Sequence, residues 1–352
     1  MTPHRPFPIK RIQILALLAI AAVLTAYSTP ALPADTVQTG TLEIIEVHGT
    51  SLEGNLEGND PDRRVYVYLP PGYASDTSKR YPVLIYLHGY AVGAQIYAEN
   101  VLRLPASADT AIANGADDMI VVVPDAFTKF GGSMYSNSPT IGDWESFIAR
   151  DLVSYIDNNY RTLATRESRG LAGHSMGGYG TMRIGMKHPE TFAALYAMSS
   201  CCLLNNAPPL EAVTPQLERM AAGIEGYTPG TFDNALLAQA AAWAPNPQKP
   251  PYFLDLGFEN GDAQPLVQAK WTTNSQLFMV DQHVPALKQY KAIMLDVGNM
   301  DGLATSNTEL DAALTRLGIA HGWEVYDGDH GNRIGSRFVE KVLPFFSEHL
   351  QD

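Results

Sequence analysis

The chain has 352 residues, 45% of them hydrophobic and 17% charged, with a formal net charge of −13. That composition is globular and excludes long intrinsic disorder. The acidic excess excludes nucleic acid as a partner, because phosphate binding calls for a surplus of Lys and Arg, and the body of the chain holds no basic run.

At the N-terminus Arg5, Lys10 and Arg11 precede an apolar stretch from Ile14 to Ala26, and small residues come after it at Ser28, Ala31 and Ala34. This is the pattern of a secretory signal peptide over residues 1–34, cut after Ser28, Ala31 or Ala34. Its 13-residue apolar core is short of the about 20 residues that cross a bilayer. The expectation is an exported, secreted or periplasmic protein with no stable membrane anchor after cleavage. Residues 35–352 then form a single domain.

Thr41 to Val47 and Arg64 to Leu69 alternate apolar and polar residues, as half-buried strands do. The turn-rich segment between them, with Gly54, Gly58 and Pro61, predicts an antiparallel pair at a sheet edge. Val83 to Leu87 and Met119 to Val123 are apolar without alternation, which predicts central parallel strands covered on both faces. Ala98 to Asn114 and Asp143 to Tyr160 read as helices, the second with Trp144, Phe147, Ile148, Leu152, Tyr155 and Ile156 at helical spacing. Ser168 to Ala172 is a poor strand by composition and is assigned as one because the tight glycine turn at 173–177 needs a strand leading into it. Met176 to His188 is a helical run stopped by Pro189, and Phe192 to Met198 is a strand.

Cys201 and Cys202 are the only cysteines. Neighbouring Cα atoms lie about 3.8 Å apart, below the usual disulfide range, so buried thiols are the expectation and a vicinal disulfide the alternative. Leu203 to Pro251 is rich in proline and predicts a small insertion after the sixth strand, over the edge of the sheet where ligands bind. Strands are predicted again at Tyr252 to Leu256, Ala292 to Val297 and Trp323 to Tyr326. Helices fall at Asn274 to Tyr290, kinked at Pro285, at Thr308 to Leu317, and at Ser336 to His349, interrupted by Pro344. The alternation gives an α/β fold: a mostly parallel, doubly wound sheet with helices on both faces.

Gly173-His174-Ser175-Met176-Gly177 fits the G-x-S-x-G elbow, a strained turn between strand and helix that lifts a serine hydroxyl clear of the backbone. Gly is needed on either side because a Cβ would collide with the turn. A serine becomes a nucleophile only when a base takes its proton and an acid orients that base. With such an elbow the chain order is Ser, then Asp or Glu, then His. His330, in the loop after the last strand, is the candidate base, whereas His188, His283, His321 and His349 read as surface or packing residues. Asp301, just past the preceding strand, is the candidate acid, with Asp262 the runner-up. Asp255 and Asp296 lie inside predicted strands. Backbone N–H groups of Tyr90, in Leu87-His88-Gly89-Tyr90, and of Met176 are candidate oxyanion donors, and His88 shapes that loop. No metal-ligand cluster or phosphate loop occurs, so neither metal nor organic cofactor is expected.

Leu-His-Gly (87–89), Gly-Gly-Ser-Met-Tyr-Ser-Asn-Ser (131–138), Asp-Trp-Glu (143–145), Gly-His-Ser-Met-Gly-Gly-Tyr-Gly (173–180), Asp-Val-Gly-Asn-Met-Asp-Gly (296–302) and Gly-Asp-His (328–330) together resemble the esterase D and feruloyl esterase-like group of α/β hydrolases. The antigen 85 mycolyltransferases are similar relatives. The resemblance covers almost everything after residue 34. It implies Ser175, Asp301 and His330 as the triad, Tyr90 and Met176 as oxyanion donors, a helix started by Trp144 beside the site, and Asn137 near the substrate pocket. The chain departs from the pattern at Ser200-Cys201-Cys202, where proline before cysteine is usual, and at Asn299, where an acid is usual.

These readings imply a secreted serine carboxylesterase that forms an acyl-enzyme with short-acyl or feruloyl-type esters, small or glycan-linked. Two alternatives stand beside it. One is an acyltransferase that moves the acyl group to a sugar or lipid alcohol, and the other is an inactive binding protein on a hydrolase scaffold. Acyl specificity and oligomeric state are not legible.

Overall fold

An eight-stranded sheet organises the computed structural model, which describes residues 39–203, 235–259 and 262–351. The signal-peptide reading and most of the 203–251 insertion lie outside the described residues. The strands are β1 (Thr41–His48), β2 (Asp62–Leu69), β3 (Val83–Leu87), β4 (Ile120–Pro124), β5 (Arg169–His174), β6 (Ala194–Met198), β7 (Ala292–Gly298) and β8 (Gly322–Tyr326). Their spatial order is β1-β2-β4-β3-β5-β6-β7-β8. β2 pairs antiparallel with both β1 and β4, and the strands from β4 to β8 are parallel.

Alternation along each strand sends side chains to two separate cores. Val67, Ile85, Val122, Leu171 and Leu195 face one layer, which holds Phe147, Leu152, Met182 and Leu310 from the helices. Tyr68, Tyr86, Val121, Ala172 and Tyr196 face the other, with Ala98, Ala108, Phe338 and Phe346. Burial on both faces is why the central strands read as unbroken apolar runs. It also explains how β5 forms from a segment of weak strand propensity, since Arg169–His174 is buried throughout between β3 and β6.

The structure departs from the sequence reading in the connections. Tyr252 to Leu256 is not a strand: β6 pairs directly with β7, and only Leu254 forms a bridge, to Pro245. Pro250 and Pro251 have no N–H to give a ladder, and the apolar Leu254 is buried from a loop instead. The helix expected over Ala98 to Asn114 is two pieces, 94–101 and Ala106–Ala113. Arg103 has a left-handed φ of 57° and Pro105 starts the second piece. Asn274 to Tyr290 is also broken. Pro265–Asn274 is a helix, Ser275 is extended, and short turns come next at Gln276–Met279 and Val284–Leu287. Pro344 does not interrupt the last helix, which runs from 334 to 349. It sits in the first turn of Leu343–His349, after a widened turn at Phe338–Val342. Cys201 and Cys202 are half-buried and joined as a vicinal disulfide, not buried thiols.

Candidate active site

Ser175 sits between β5 and the helix Met176–Lys187 with φ 59° and ψ −114°. A non-glycine residue there costs on the order of 1–3 kcal/mol, and the surroundings hold it in place. Its N–H donates to the Met198 carbonyl, and its own carbonyl accepts from Cys201 N–H. Gly177 is required by close approach, since a Cβ there would stand 2.0 Å from the Leu87 carbonyl oxygen. The helix therefore seats directly on the end of β3, with its N-terminus beneath the serine.

The ends of β7 and β8 bring the other two groups to the same place. Met300 N–H donates to Gly328 carbonyl and Gly328 N–H to Asn299 Oδ1, at 2.9 and 3.2 Å, which locks the two loops together. His330 Nε2 then lies 3.0 Å from Ser175 Oγ, and His330 Nδ1 lies 2.8 Å from Asp301 Oδ2. Asp301 Oδ1 accepts the Leu303 N–H at 2.8 Å. The Asp301 side chain is 1% exposed and that of His330 is 38% exposed, so the acid is sealed while the imidazole opens to a cavity. Burial pushes the Asp301 carboxyl up. The hydrogen bonds from His330 and Leu303 outweigh it and leave the group below the usual carboxylate range. An ionised Asp301 fixes Nδ1 of His330 as the donor, which leaves Nε2 free to accept the serine proton.

The loop after β3 stands against Ser175: a Cβ on Gly89 would be 3.5 Å from Ser175 Cβ. His88 holds the loop in shape. Its Nδ1–H donates to Gly89 carbonyl and its Nε2 accepts Ala126 N–H, both at 2.8 Å. Burial holds this imidazole neutral, with its pKa lowered. Tyr135 and Tyr90 donate their hydroxyls to His88 carbonyl at 3.0 Å and to Phe130 carbonyl at 2.7 Å. Phe130 and Tyr135 thus clamp the loop that carries Tyr90. Met176 is the first residue of its helix, where backbone N–H groups lack intrahelical acceptors.

Two side chains that the sequence reading passed over complete the site. His174 is buried, and its Nε2–H donates to the backbone carbonyl of His330 at 2.7 Å. Its Nδ1 accepts the Tyr97 hydroxyl at 2.8 Å. Burial, with His330 beside it, pushes His174 down to about 3. It is a neutral strut between the elbow and the His330 loop. The sequence signal for it was the His inside the elbow motif, but Tyr97 carried none.

Of the other residues singled out, Asp262 is exposed in a two-residue hairpin, and Asp255 pairs with Lys249 at 2.8 Å. Asp296 is buried in β7 against Arg337 and Tyr196. Trp144 does open a helix, but its ring is fully buried and its Nε1–H donates to Ile141 carbonyl. Asn137 is exposed in a short hairpin. Neither Trp144 nor Asn137 is among the described residues that line the cavity at Ser175. That cavity measures about 840 Å³ and runs from Ser175 and His330 between the 94–113 and 331–339 segments. Among the described residues no group of three or more His, Cys, Asp or Glu could hold a metal ion.

The family model described as "Putative esterase" matches residues 58–340. An esterase of Mycobacterium tuberculosis is 32% identical over 136 residues, which are 37% of this chain and 27% of the length of that relative. An endo-1,4-beta-xylanase/feruloyl esterase of Xylanibacter ruminicola is 34% identical over 139 residues, 36% of this chain and 18% of the relative. The chain thus spans a minor part of the length of these curated relatives. Among solved structures, a ferulic acid esterase superposes with a TM-score of 0.63 at 22% identity, covering 89% of this chain and 100% of that one. An S-formylglutathione hydrolase of Staphylococcus aureus gives 0.58 at 16%, covering 88% and 99%. The shared architecture is the α/β-hydrolase fold.

Proposed function

We propose that this chain, which belongs to the esterase family, is a serine carboxylesterase with Ser175, His330 and Asp301 as its triad. One observation carries the reading: the continuous hydrogen-bond path from Ser175 Oγ through His330 to a sealed Asp301 at 3.0 and 2.8 Å, opening on a cavity. His330 Nε2 takes the serine proton as Oγ attacks the ester carbonyl. Asp301 stabilises the imidazolium and keeps it oriented. The backbone N–H groups of Tyr90 and Met176 receive the oxyanion. His330 returns the proton to the leaving alcohol, an acyl-Ser175 ester remains, and water activated by the same imidazole releases the acid.

The ferulate-directed relatives support short-acyl or feruloyl-type esters as substrates. The signal-like N-terminus supports export, with residues 35–352 as the catalytic domain. No described helix is long and apolar enough to cross a membrane. The test is kcat/KM on p-nitrophenyl esters from acetate to palmitate and on methyl ferulate, for the wild type and Ser175→Ala, with fluorophosphonate labelling of both. Turnover and labelling of the wild type with loss of both in Ser175→Ala is the expected result. A wild type that is silent and unlabelled removes the reading.

A further inference from the structure

The cavity at Ser175 lies at the carboxyl ends of β3, β5 and β8, and its described walls include no carboxylate. That is unexpected in a chain with 37 acidic residues against 24 Lys and Arg. Its one permanent cation on the described wall is Arg103, which lines the cavity together with Asn100, Ser107 and Asn332. Arg103 is exposed, and its guanidinium makes no hydrogen bond or ion pair with any described residue. The hydroxyl and amide neighbours are engaged locally: Ser107 donates to Leu102 carbonyl, and Asn332 Oδ1 accepts Asp329 N–H. The side chain of Asn100 has no described partner either.

The backbone at Arg103 adds a second observation. Its φ of 57° lies in the left-handed region, where a non-glycine residue costs about 1 kcal/mol or more. Arg103 lies between the 94–101 and Ala106–Ala113 helical pieces and lines the cavity, at a backbone position that Gly would satisfy at lower cost. Arg103 has no partner among the described residues and lines a cavity whose described walls hold no carboxylate, so an anionic ligand entering there would meet a free guanidinium and no competing acid on those walls. A guanidinium presents a planar fork that matches a carboxylate in two parallel hydrogen bonds. With no second cation on the described wall, a monoanion fits better than a phosphate dianion.

We propose that Arg103, with Asn100 beside it, is an anion-recognition subsite of the active-site cavity. The ester taken by Ser175 therefore carries a carboxylate remote from the scissile bond. This rests on the serine esterase reading of Ser175 and names the substrate class of that same site.

The experiment compares two matched ester pairs. In the first, p-nitrophenyl butyrate is set against mono-p-nitrophenyl glutarate, with the carboxylate on the acyl chain. In the second, phenyl butyrate is set against 4-(butyryloxy)benzoate, with the carboxylate on the alcohol. The readout is the ratio of kcat/KM for the anionic over the neutral member, in the wild type, Arg103→Gln and Arg103→Glu, at low and high salt. The wild type should favour the anionic member of one pair, which locates the charge on the acyl or alcohol part. Arg103→Gln should lower that ratio roughly two- to fivefold, through KM, as fits an exposed ion pair. Arg103→Glu should lower it further, and salt should erode the wild-type preference. A ratio that is the same in all three proteins, with neutral esters still hydrolysed, overturns the subsite and leaves the esterase reading standing. Silence on all four esters overturns the esterase reading and the subsite together.

Discussion

β7 and the loop just beyond it hold two buried carboxylates five positions apart, and they are treated in opposite ways. Asp296, inside the strand, is fully buried. It accepts from Arg337 and Tyr196 on one oxygen at 2.7 and 2.8 Å, while its other oxygen has no partner. Burial pushes it up to about 6 against the pull of Arg337. Asp301, in the loop, is equally hidden at its side chain, yet His330 and the Leu303 N–H more than offset burial and hold it low. The difference lies in what faces each carboxylate. A group inside the sheet meets only packing partners and serves the fold, whereas a group one turn past the strand end meets the neighbouring loop and is available for chemistry.

The largest expected effect breaks that distinction at Asp301. Asp301→Asn should lower kcat/KM by about 10⁴-fold, because the imidazole loses the group that sets its tautomer. Asp262→Asn, in its exposed hairpin, should change it little. Steady-state kinetics on one p-nitrophenyl ester reads both, and the reverse ranking would assign the acid to the wrong strand.

The counterpart at Asp296 is a stability effect. Arg337→Met leaves a buried charge without its cation and should cost about 3–5 kcal/mol, measured by urea unfolding. Asp296→Leu combined with Arg337→Met should recover much of that loss. A double variant no more stable than the single one would mean that the arginine's other bonds, to Glu324 at 2.9 Å, dominate.

A smaller effect separates orientation from charge. Tyr97→Phe removes the hydroxyl that His174 Nδ1 accepts and leaves a buried acceptor unpaired, at about 1–3 kcal/mol. Activity should fall roughly tenfold, mainly in kcat, as the His330 loop loosens. An unchanged kcat together with a lower Tm would make the contact purely structural.

The smallest effect tests the burial rule far from the site. Glu57 is buried with one carboxylate oxygen unpartnered, and burial pushes its carboxyl up to about 7 from an ordinary 4.5, against the pull of Asn59 and Lys129. The folded state thus holds the proton more tightly than the unfolded chain. Stability from this group is complete below the ordinary value and is lost as pH rises towards 7. Glu57→Gln should therefore gain on the wild type between pH 5 and pH 8, by on the order of 1–3 kcal/mol. Chemical denaturation at the two pH values measures it, and a constant gap would mean that the group stays ionised throughout.

How far the chain alone disclosed these features depends on how local each one is. The elbow could be read because a tight turn has steric needs that only glycine meets, and Gly177 against the Leu87 carbonyl is that need made visible. The central strands could be read because burial on both faces leaves a continuous apolar run. Asp301 and His330 could be named from their places after strands, but not brought together, since their meeting depends on the Met300–Gly328 and Asn299–Gly328 contacts between loops.

Other features had no local signature. Tyr252 to Leu256 has the composition of a strand, yet the sheet closes without it by pairing β6 with β7. Trp144 and Asn137 were associated with the pocket by the family resemblance alone, and their burial, one in the core and the other exposed, was not legible in the chain. Tyr97 joins the site from a helix some 77 positions away from His174. Sequence by itself determined the turn chemistry, the two-faced strands and the candidate reactive side chains, because each is set by neighbours along the chain. Tertiary structure decided which carboxylate meets His330, which histidine is a strut and which arginine lines the cavity, because charge and orientation depend on groups distant in sequence.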